Sequence, residues 1–141
     1  MNDLIVAYKF GARLNGKLSP REGINLHQLH AQANGGKVLF TISKFPQAEY
    51  RDYITKIILM TKDGRFALMA DVDFLGLYSS SPTPDGYTVP SVFNDEDKSC
   101  RGWFALSNLQ PIEVNKGDYT SVNGKDLLDS MSGNAYMVYL K

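Results

Sequence analysis

The sequence has little cysteine, no net charge and no long apolar run, and each shortage excludes a class of protein. The single cysteine, Cys100, rules out an internal disulfide framework and fits a reducing compartment. Equal numbers of basic and acidic residues, 15 of each, argue against a general polyanion binder. No apolar stretch is long enough to cross a bilayer, and the opening MNDLIVAYKF lacks the regions of a signal peptide. We therefore expect a cytoplasmic protein with no membrane partner.

The sequence also lacks the short motifs that mark common catalytic and cofactor sites. It has no phosphate-binding loop, no dinucleotide fingerprint and no G-x-S-x-G elbow. His27 and His30 have a spacing within metal-ligand reach, but no cysteine or acidic residue nearby is spaced to complete a site. No nucleophile signature surrounds Cys100. We expect no cofactor, no metal and no catalytic activity.

Length and patterning predict one domain over residues 1–141. A first helix is expected in SPREGINLHQLHAQANGG, because Ser19 and Glu22 have capping-box spacing and Pro20 suits the first helical position. The two glycines that follow can end it. A start at Asn25 is the alternative, since a glycine weakens the first turn.

The rest of the chain reads as strands with one more helix. The segment DYITKIILMT-KDG-RFALMADVDFL predicts a hairpin with an Asp-Gly turn. One face of its second arm carries alternating apolar residues: Phe66, Leu68, Ala70, Val72 and Phe74. A short helix is predicted in SVNGKDLLDSMSGN, with Asn123 as its cap. We expect an α+β fold, in which a small curved, mostly antiparallel sheet forms a partly open barrel with two or three flanking helices.

Charge is divided unevenly along the chain. Residues 1–66 carry ten Lys or Arg and five Asp or Glu, and residues 67–141 carry five and ten. This division indicates either a mixed surface or a basic face built from the N-terminal half.

The only tryptophan, Trp103, adjoins Phe104 in a predicted strand, so the two rings must point to opposite faces. Phe104 and Leu106 are expected in the core. Small residues follow on the face of Trp103, which either packs there as a lid or lines a pocket.

Asp71 and Asp73 share one face of the hairpin's second arm and could face a common cleft. Acid–base catalysis would need one of the two to have a strongly shifted pKa. A solvated strand face is the simpler interpretation for Asp73, and it leaves Asp71 as a candidate polar contact.

Several segments follow one another in a recognisable order: IVAYKFG, a helix, GKVLFTIS, GRFALMADVDFL and DKSCRGWFALSNLQPIEV. This order resembles the YTH and EVE domains of the PUA-like superfamily, and the last segment is the closest match, to a W-K-G-x-F-x-V strand. The resemblance covers most of the chain. It implies a compact pseudo-barrel with a pocket that takes a single base, often modified, extruded from nucleic acid.

Carried over to this sequence, the resemblance implies a set of base-binding residues. Lys9 matches the lysine that ends the first strand, and Phe10 and Gly11 match the pocket-lining positions after it. The family's cage tryptophan falls at Ser99 or Cys100, so an aromatic from elsewhere would have to rebuild that wall. The expected base contacts are Lys9, Phe10, Thr41, Ser43, Asp71, Trp103, Tyr50 and Tyr53, and the expected phosphate contacts are Arg13, Lys37, Lys44 and Arg51.

Three functions follow from these features. The leading one is a non-catalytic reader of a flipped, methylated base in DNA rather than RNA, with a fused or associated nuclease or motor, as in modification-dependent restriction enzymes. The alternative is a protein-interaction or regulatory module that keeps the PUA-like fold without the pocket. The third is a small enzyme that acts on a nucleotide through Asp71 and Asp73.

Overall fold

The computed structural model describes residues 3–93 and 100–141. They form one six-stranded mixed sheet and three α-helices, so the expected α+β class is confirmed. The strands are β1 (Leu4–Lys9), β2 (Lys37–Ile42), β3 (Ile54–Met60), β4 (Ala67–Leu77), β5 (Gly102–Ile112) and β6 (Met137–Leu140). The helices are α1 (Pro20–Ala33), α2 (Ala48–Arg51) and α3 (Leu127–Ser132), with a 3-10 turn at Ser91–Phe93. Among these described residues, no helix is long and apolar enough to cross a membrane.

The strand order is β2-β5-β4-β3-β1-β6, and only β1 and β3 pair in parallel. The mostly antiparallel pairing expected from the sequence is therefore present. The expected barrel closure is not, because β2 and β6 lie at opposite edges of the described sheet. Each edge is instead bonded by a loop. At the β2 edge, Leu39 N donates to Thr88 O of the loop 78–90 (2.9 Å). At the β6 edge, Val122 N of the loop before α3 donates to Tyr139 O (3.0 Å).

Helix α1 begins where its capping signals predict. Ser19 N donates to Glu22 Oε1 (3.1 Å) and Glu22 N donates to Ser19 Oγ (3.2 Å), which completes the capping box. The later start at Asn25 is wrong, because Pro20 and the capping box already fix the first turn. Helix α3 begins after Asp126 and not at Asn123, since the Asp126 side chain accepts from Asp129 N.

The face of the sheet under α1 holds most of the core. Its centre is an aromatic cluster of Phe10, His27, Phe40 and Phe93, in which the ring centroids lie 5.2–6.4 Å apart. Phe104 joins Phe40 in this core and is fully buried, as expected. His27 Nδ1 donates to Gly23 O (2.8 Å), and burial, with a smaller effect of Arg13, lowers the pKa of His27 to about 4.

The opposite face of the sheet has two separate covers. Helix α3 packs on β1, β3 and β6 through Leu127 and Met131. The segment 78–90, which we call the strap, packs on β2 and β5 through Tyr87 and Val89. Between the two covers the middle of the sheet is polar and open, with the ion pair of Lys56 and Asp71 upon it.

The apolar stripe predicted along β4 is wrong at its far end. Phe66 lies in the turn before β4, where it is 37% exposed but lines the same groove as Leu68, as the shared face predicts. Phe74 is turned to the opposite face, because the pairing partners move only from Leu106 to Ala105 while β4 advances from Val72 to Phe74. The extra residue is a β-bulge, which reverses the alternation beyond it and leaves Phe74 55% exposed.

Replacing Gly23 with alanine should destabilise the protein by about 2 kcal/mol. Alanine normally stabilises a helix interior relative to glycine, but a Cβ here would collide with the Phe10 ring. Urea unfolding measures the change. Gly11→Ala is the control, because nothing lies within 4 Å of its added Cβ. An unchanged or raised free energy of unfolding in Gly23→Ala would contradict this packing.

Acidification should weaken the fold through His27. Its pKa of about 4 in the folded state lies below the ordinary value of about 6.5, so only the unfolded chain takes up this proton between those pH values. The free energy of unfolding should therefore fall as the pH drops from 6.5 to 4, by up to about 3 kcal/mol from this group. Denaturant titrations at a series of pH values should show a flatter slope for His27→Gln and the wild-type slope for His30→Gln. The same slope in both variants would show that other groups cause it.

Candidate functional site

Two of the predicted contact residues meet in a cleft of about 390 Å³ beside the start of β5. Its walls come from residues 12–16 in the loop after β1, from Ser43 directly after β2, and from Cys100 just before β5. The volume lies within the ordinary range for small-ligand pockets, about 300–1,000 Å³. Ser99, the other position matched to the family tryptophan, lies outside the described residues.

Strand pairing explains why Ser43 and Cys100 reach the same cleft. In the antiparallel ladder of β2 and β5, Ile42 lies opposite Gly102. Arg101 N then donates to Ile42 O (3.1 Å), which extends the pairing by one bond. The residue after β2 and the residue before β5 therefore leave the sheet together.

A tight turn forms the remaining wall. Arg13 and Leu18 make an antiparallel bridge, and the chain between them turns through left-handed φ angles of 53° at Leu14, 56° at Asn15 and 83° at Gly16. A left-handed leucine costs about 1–2 kcal/mol, so the bonds across the bridge must offset it. The Asn-Gly dipeptide is a signal for such a turn, and it would have located this wall from the sequence.

Arg13 lines the cleft above the aromatic cluster. Its guanidinium carbon lies 5.0 Å from the centre of the Phe10 ring and 5.9 Å from that of Phe93. Packing against two rings restricts the position of the guanidinium group. Because burial keeps His27 neutral at pH 7, Arg13 carries the positive charge at this position.

The surroundings of the cleft are basic. Each of its three segments contributes a cation, namely Arg13 itself, Lys44 next to Ser43, and Arg101 next to Cys100. Lys44 and Arg101 are exposed, and within the described part of the chain no carboxylate lines the cleft. Of the three, Arg13 lines the cleft itself, while Lys44 lines a separate hollow beside β6. The charge of Arg13 suits an anionic ligand at this opening.

Trp103 does not line this cleft. It is 3% exposed and packs with Leu39, Ala105 and Tyr87 on the sheet face that the strap covers. The strap is held by the bond from Tyr87 Oη to Asp73 Oδ2 (2.7 Å) and by the bond of Thr88 O to β2. Thr41, which lies opposite Trp103 in the β2–β5 register, is also buried. Of the two interpretations of Trp103 from the sequence, the structure agrees with packing, and the element that covers the ring is a loop and not a helix.

The other predicted base contacts have structural partners elsewhere. Lys9 Nζ donates to Met131 O (2.9 Å) and Gly133 O (3.0 Å), so it caps the C-terminal end of α3. Tyr50 stacks on Tyr139 with ring centroids 4.3 Å apart. Tyr53 is half-buried, and its carbonyl oxygen accepts from Leu4 N at the start of β1 (2.7 Å).

Asp71 and Asp73 are not brought together as a catalytic pair. Asp71 accepts from Lys56 Nζ (2.8 Å) and from Asn108 Nδ2 (3.3 Å), and the bond from Lys56 holds the pKa of Asp71 below its usual value. Asp73 instead accepts from Tyr87, and burial together with this bond raises the pKa of Tyr87 to about 12. A carboxylate with a lowered pKa stays ionised at pH 7, which disfavours a role for Asp71 as general acid.

Three of the four predicted phosphate contacts lie away from the cleft lining, and one of these, Lys44, lines a hollow beside β6. Lys37 Nζ sits 5.3 Å from the centre of the Tyr87 ring, at the start of β2. Arg51 packs on Phe45 at 4.8 Å and donates from Nε to Pro46 O (2.8 Å). Arg13 is therefore the one of this set that lines the cleft, and Lys44 follows its lining residue Ser43 in sequence.

Within residues 3–93 and 100–141, no group of three or more His, Cys, Asp or Glu side chains is arranged to hold a metal ion. His30 Nε2 lies 2.8 Å from Thr88 Oγ1, and His27 is enclosed in the aromatic cluster. The two histidines thus have separate structural surroundings.

Comparison of the chain with protein-family models, with curated proteins and with solved structures returned no match.

Replacing Lys9 with methionine should lower the free energy of unfolding by about 1–2 kcal/mol, because two carbonyls at the end of α3 lose a charged donor. Urea unfolding measures the change. Lys17→Met, at an exposed lysine in the loop after β1, is the matched control and should change stability by less than about 0.5 kcal/mol. Equal stability of the two variants would show that the Lys9 cap contributes nothing.

Proposed function

We propose that this protein is a non-catalytic nucleic-acid-recognition domain whose cleft accommodates one base extruded from DNA. The observation that carries the proposal is the convergence of three segments on a single cleft. These are the turn that follows β1, the residue after β2 and the residue before β5, which include Ser43 and Cys100. The YTH and EVE resemblance implies a base pocket from the corresponding parts of the chain.

The chemistry of the cleft supports this use. A flipped base needs a flat surface on which to stack and polar groups that bond its edge. The guanidinium plane of Arg13, held over the rings of Phe10 and Phe93, offers such a surface, since bases stack on arginine as well as on aromatic rings. The Ser43 hydroxyl is both donor and acceptor at the opposite wall.

Among the described residues, no aromatic side chain forms the wall of the cleft that the sequence led us to expect. Trp103 is enclosed under the strap, and Cys100 occupies one of the two positions matched to the family tryptophan. Arg13 therefore takes the stacking role that an aromatic residue was expected to fill. The open sheet also departs from a PUA-like pseudo-barrel, so the proposal depends on the cleft and not on barrel closure.

In this role Lys44 and Arg101 contact phosphates beside the opening, and these contacts position the nucleic acid without reading its sequence. The resemblance adds that the base carries a modification such as methylation. It also adds that a fused or associated nuclease or motor, as in modification-dependent restriction, uses the recognition event.

The direct test is fluorescence anisotropy at low salt with a DNA duplex that carries one methylated or hydroxymethylated base, and with its unmodified counterpart. We expect binding that weakens as salt rises, and a loss of about tenfold or more in Arg13→Ala because the stacking surface is removed. Arg65→Ala, at another exposed arginine, is the matched control and should bind within about twofold of the wild type.

Ser43→Ala should reduce the preference between modified and unmodified duplexes while leaving the salt dependence unchanged, because Ser43 has no charge. Failure of all these oligonucleotides to bind at low salt, or equal losses in the Arg13 and Arg65 variants, would overturn the proposal. The protein-interaction module would then be the better interpretation.

A further inference from the structure

A second concave surface lies between the start of α1 and the end of β5. It is a groove of about 560 Å³, larger than the cleft, and shares no lining residue with it. The groove floor is apolar and includes Ile24, Phe66, Leu68, Pro111 and Ile112. It therefore presents an apolar surface that the base-recognition proposal does not use.

The groove is open because β5 extends beyond its partner. Strand β2 pairs with β5 only as far as Ser107, so residues 108–112 have β4 on one side and, within the described part of the chain, no strand on the other. Pro111 lies in this unpaired stretch and has no backbone N–H to offer an added strand. Pro111 thus makes this edge a poorer template for an added strand.

Phe66 is the aromatic centre of this surface. The Arg21 guanidinium carbon lies 4.0 Å from the centre of the Phe66 ring, and the ring is still 37% exposed. An apolar side chain that docked beside Phe66 and Ile112 would bury exposed aromatic surface and keep the Arg21 stack intact. Such a pairing of arginine and aromatic residues is typical of protein interfaces.

The charges on the rim favour an acidic occupant. Arg21, Arg65 and the carboxylate of Glu22 line the groove itself, and Lys62 and Asp63 line an adjoining hollow that shares Arg21 and Phe66 with it. Both carboxylates accept bonds within the chain. Glu22 accepts from Ser19 N (3.1 Å), and Asp63 accepts from Thr61 Oγ1 (2.8 Å) and Arg65 N (3.1 Å). These bonds lower the pKa of each carboxyl, so both stay ionised at pH 7, and Arg65 Nε lies 4.0 Å from Asp63 Oδ2. The three cations nevertheless outnumber the two carboxylates, which leaves an excess of positive charge on the rim.

We infer that this groove docks an acidic segment of a partner protein, which inserts an apolar side chain beside Phe66 and places carboxylates on Arg21, Lys62 and Arg65. A nucleic-acid backbone fits this surface less well. Its floor is largely aliphatic, and the carboxylates of Glu22 and Asp63 interrupt the run of cations that would follow a chain of phosphates. The docking surface is separate from the proposed base site and goes beyond it.

The test is selection of a random dodecapeptide library, displayed on phage, against the whole protein. Selected peptides should combine Asp or Glu with Leu or Phe. A fluorescein-labelled copy of the most enriched peptide should bind the wild type and lose about tenfold or more in affinity for the Arg21→Glu/Arg65→Glu variant. The Lys125→Glu/Lys141→Glu variant carries the same change in net charge elsewhere and should bind within about twofold of the wild type.

Methyl NMR of isoleucine-labelled protein gives a second readout that does not depend on a variant. The peptide should shift the signals of Ile24 and Ile112, which line the groove, and leave that of Ile5 in place. Thermal unfolding checks that each variant is folded.

Several results would overturn the inference. They are no peptide enrichment over an unrelated protein, enrichment of basic peptides, equal loss in both double variants, or isoleucine shifts outside the groove. DNA binding that the Arg21/Arg65 variant loses, without peptide enrichment, would assign the surface to nucleic acid. Arg13→Ala should leave peptide binding unchanged, so failure of the base-recognition proposal can be told apart from failure of this one.

Discussion

The close contact between the Phe10 ring and the backbone of α1 at Gly23 is the constraint on which the rest of the structure depends. No side chain other than hydrogen fits at Gly23, so the helix approaches β1 closely enough for His27 to enter the aromatic cluster. Burial there keeps His27 neutral, and the outer surface of the same cluster supports the Arg13 guanidinium. The cleft therefore takes its shape and its charge from a packing contact in the core.

The two faces of the sheet differ in whether they carry an open site. The face under α1 supports the cleft and the groove, and both lie next to residues of that helix or of the loop before it. The opposite face is closed by α3 near β6 and by the strap near β2, which removes Trp103 from any open site. Aromatic side chains are thus common in the core of this fold, and none is among the described residues that line the cleft. Arginine takes the exposed stacking positions, over Phe10 in one place and over Phe66 in the other.

The cleft and the groove differ in how their charges are arranged. The cleft is lined by Arg13, its lining residues Ser43 and Cys100 adjoin Lys44 and Arg101 in sequence, and no carboxylate is among its described lining residues, which suits an anionic ligand. Around the groove cations alternate with carboxylates that are bonded locally, which suits a short acidic segment with apolar anchors. Strands of both halves of the chain alternate in the sheet, with β5 and β4 between β2 and β3, yet the cations of the groove and Arg13 of the cleft all come from the basic first half. A protein with no net charge can therefore carry two basic surfaces of different character.

Features that depend only on neighbouring residues could be predicted from the sequence. The capping box at Ser19 and Glu22, the Asp-Gly hairpin and the opposite orientations of Trp103 and Phe104 each require only a few adjacent positions, and each appears as expected. Tertiary structure alone decided the features that join distant segments. Lys9 bonds the end of α3, 122 residues away, a contact that its sequence neighbours do not indicate. A single bulged residue turns Phe74 outward, and a loop covers Trp103. These outcomes depend on which surfaces meet after folding. The periodicity of a strand predicts which of its side chains share a face, but it does not predict which element will cover that face.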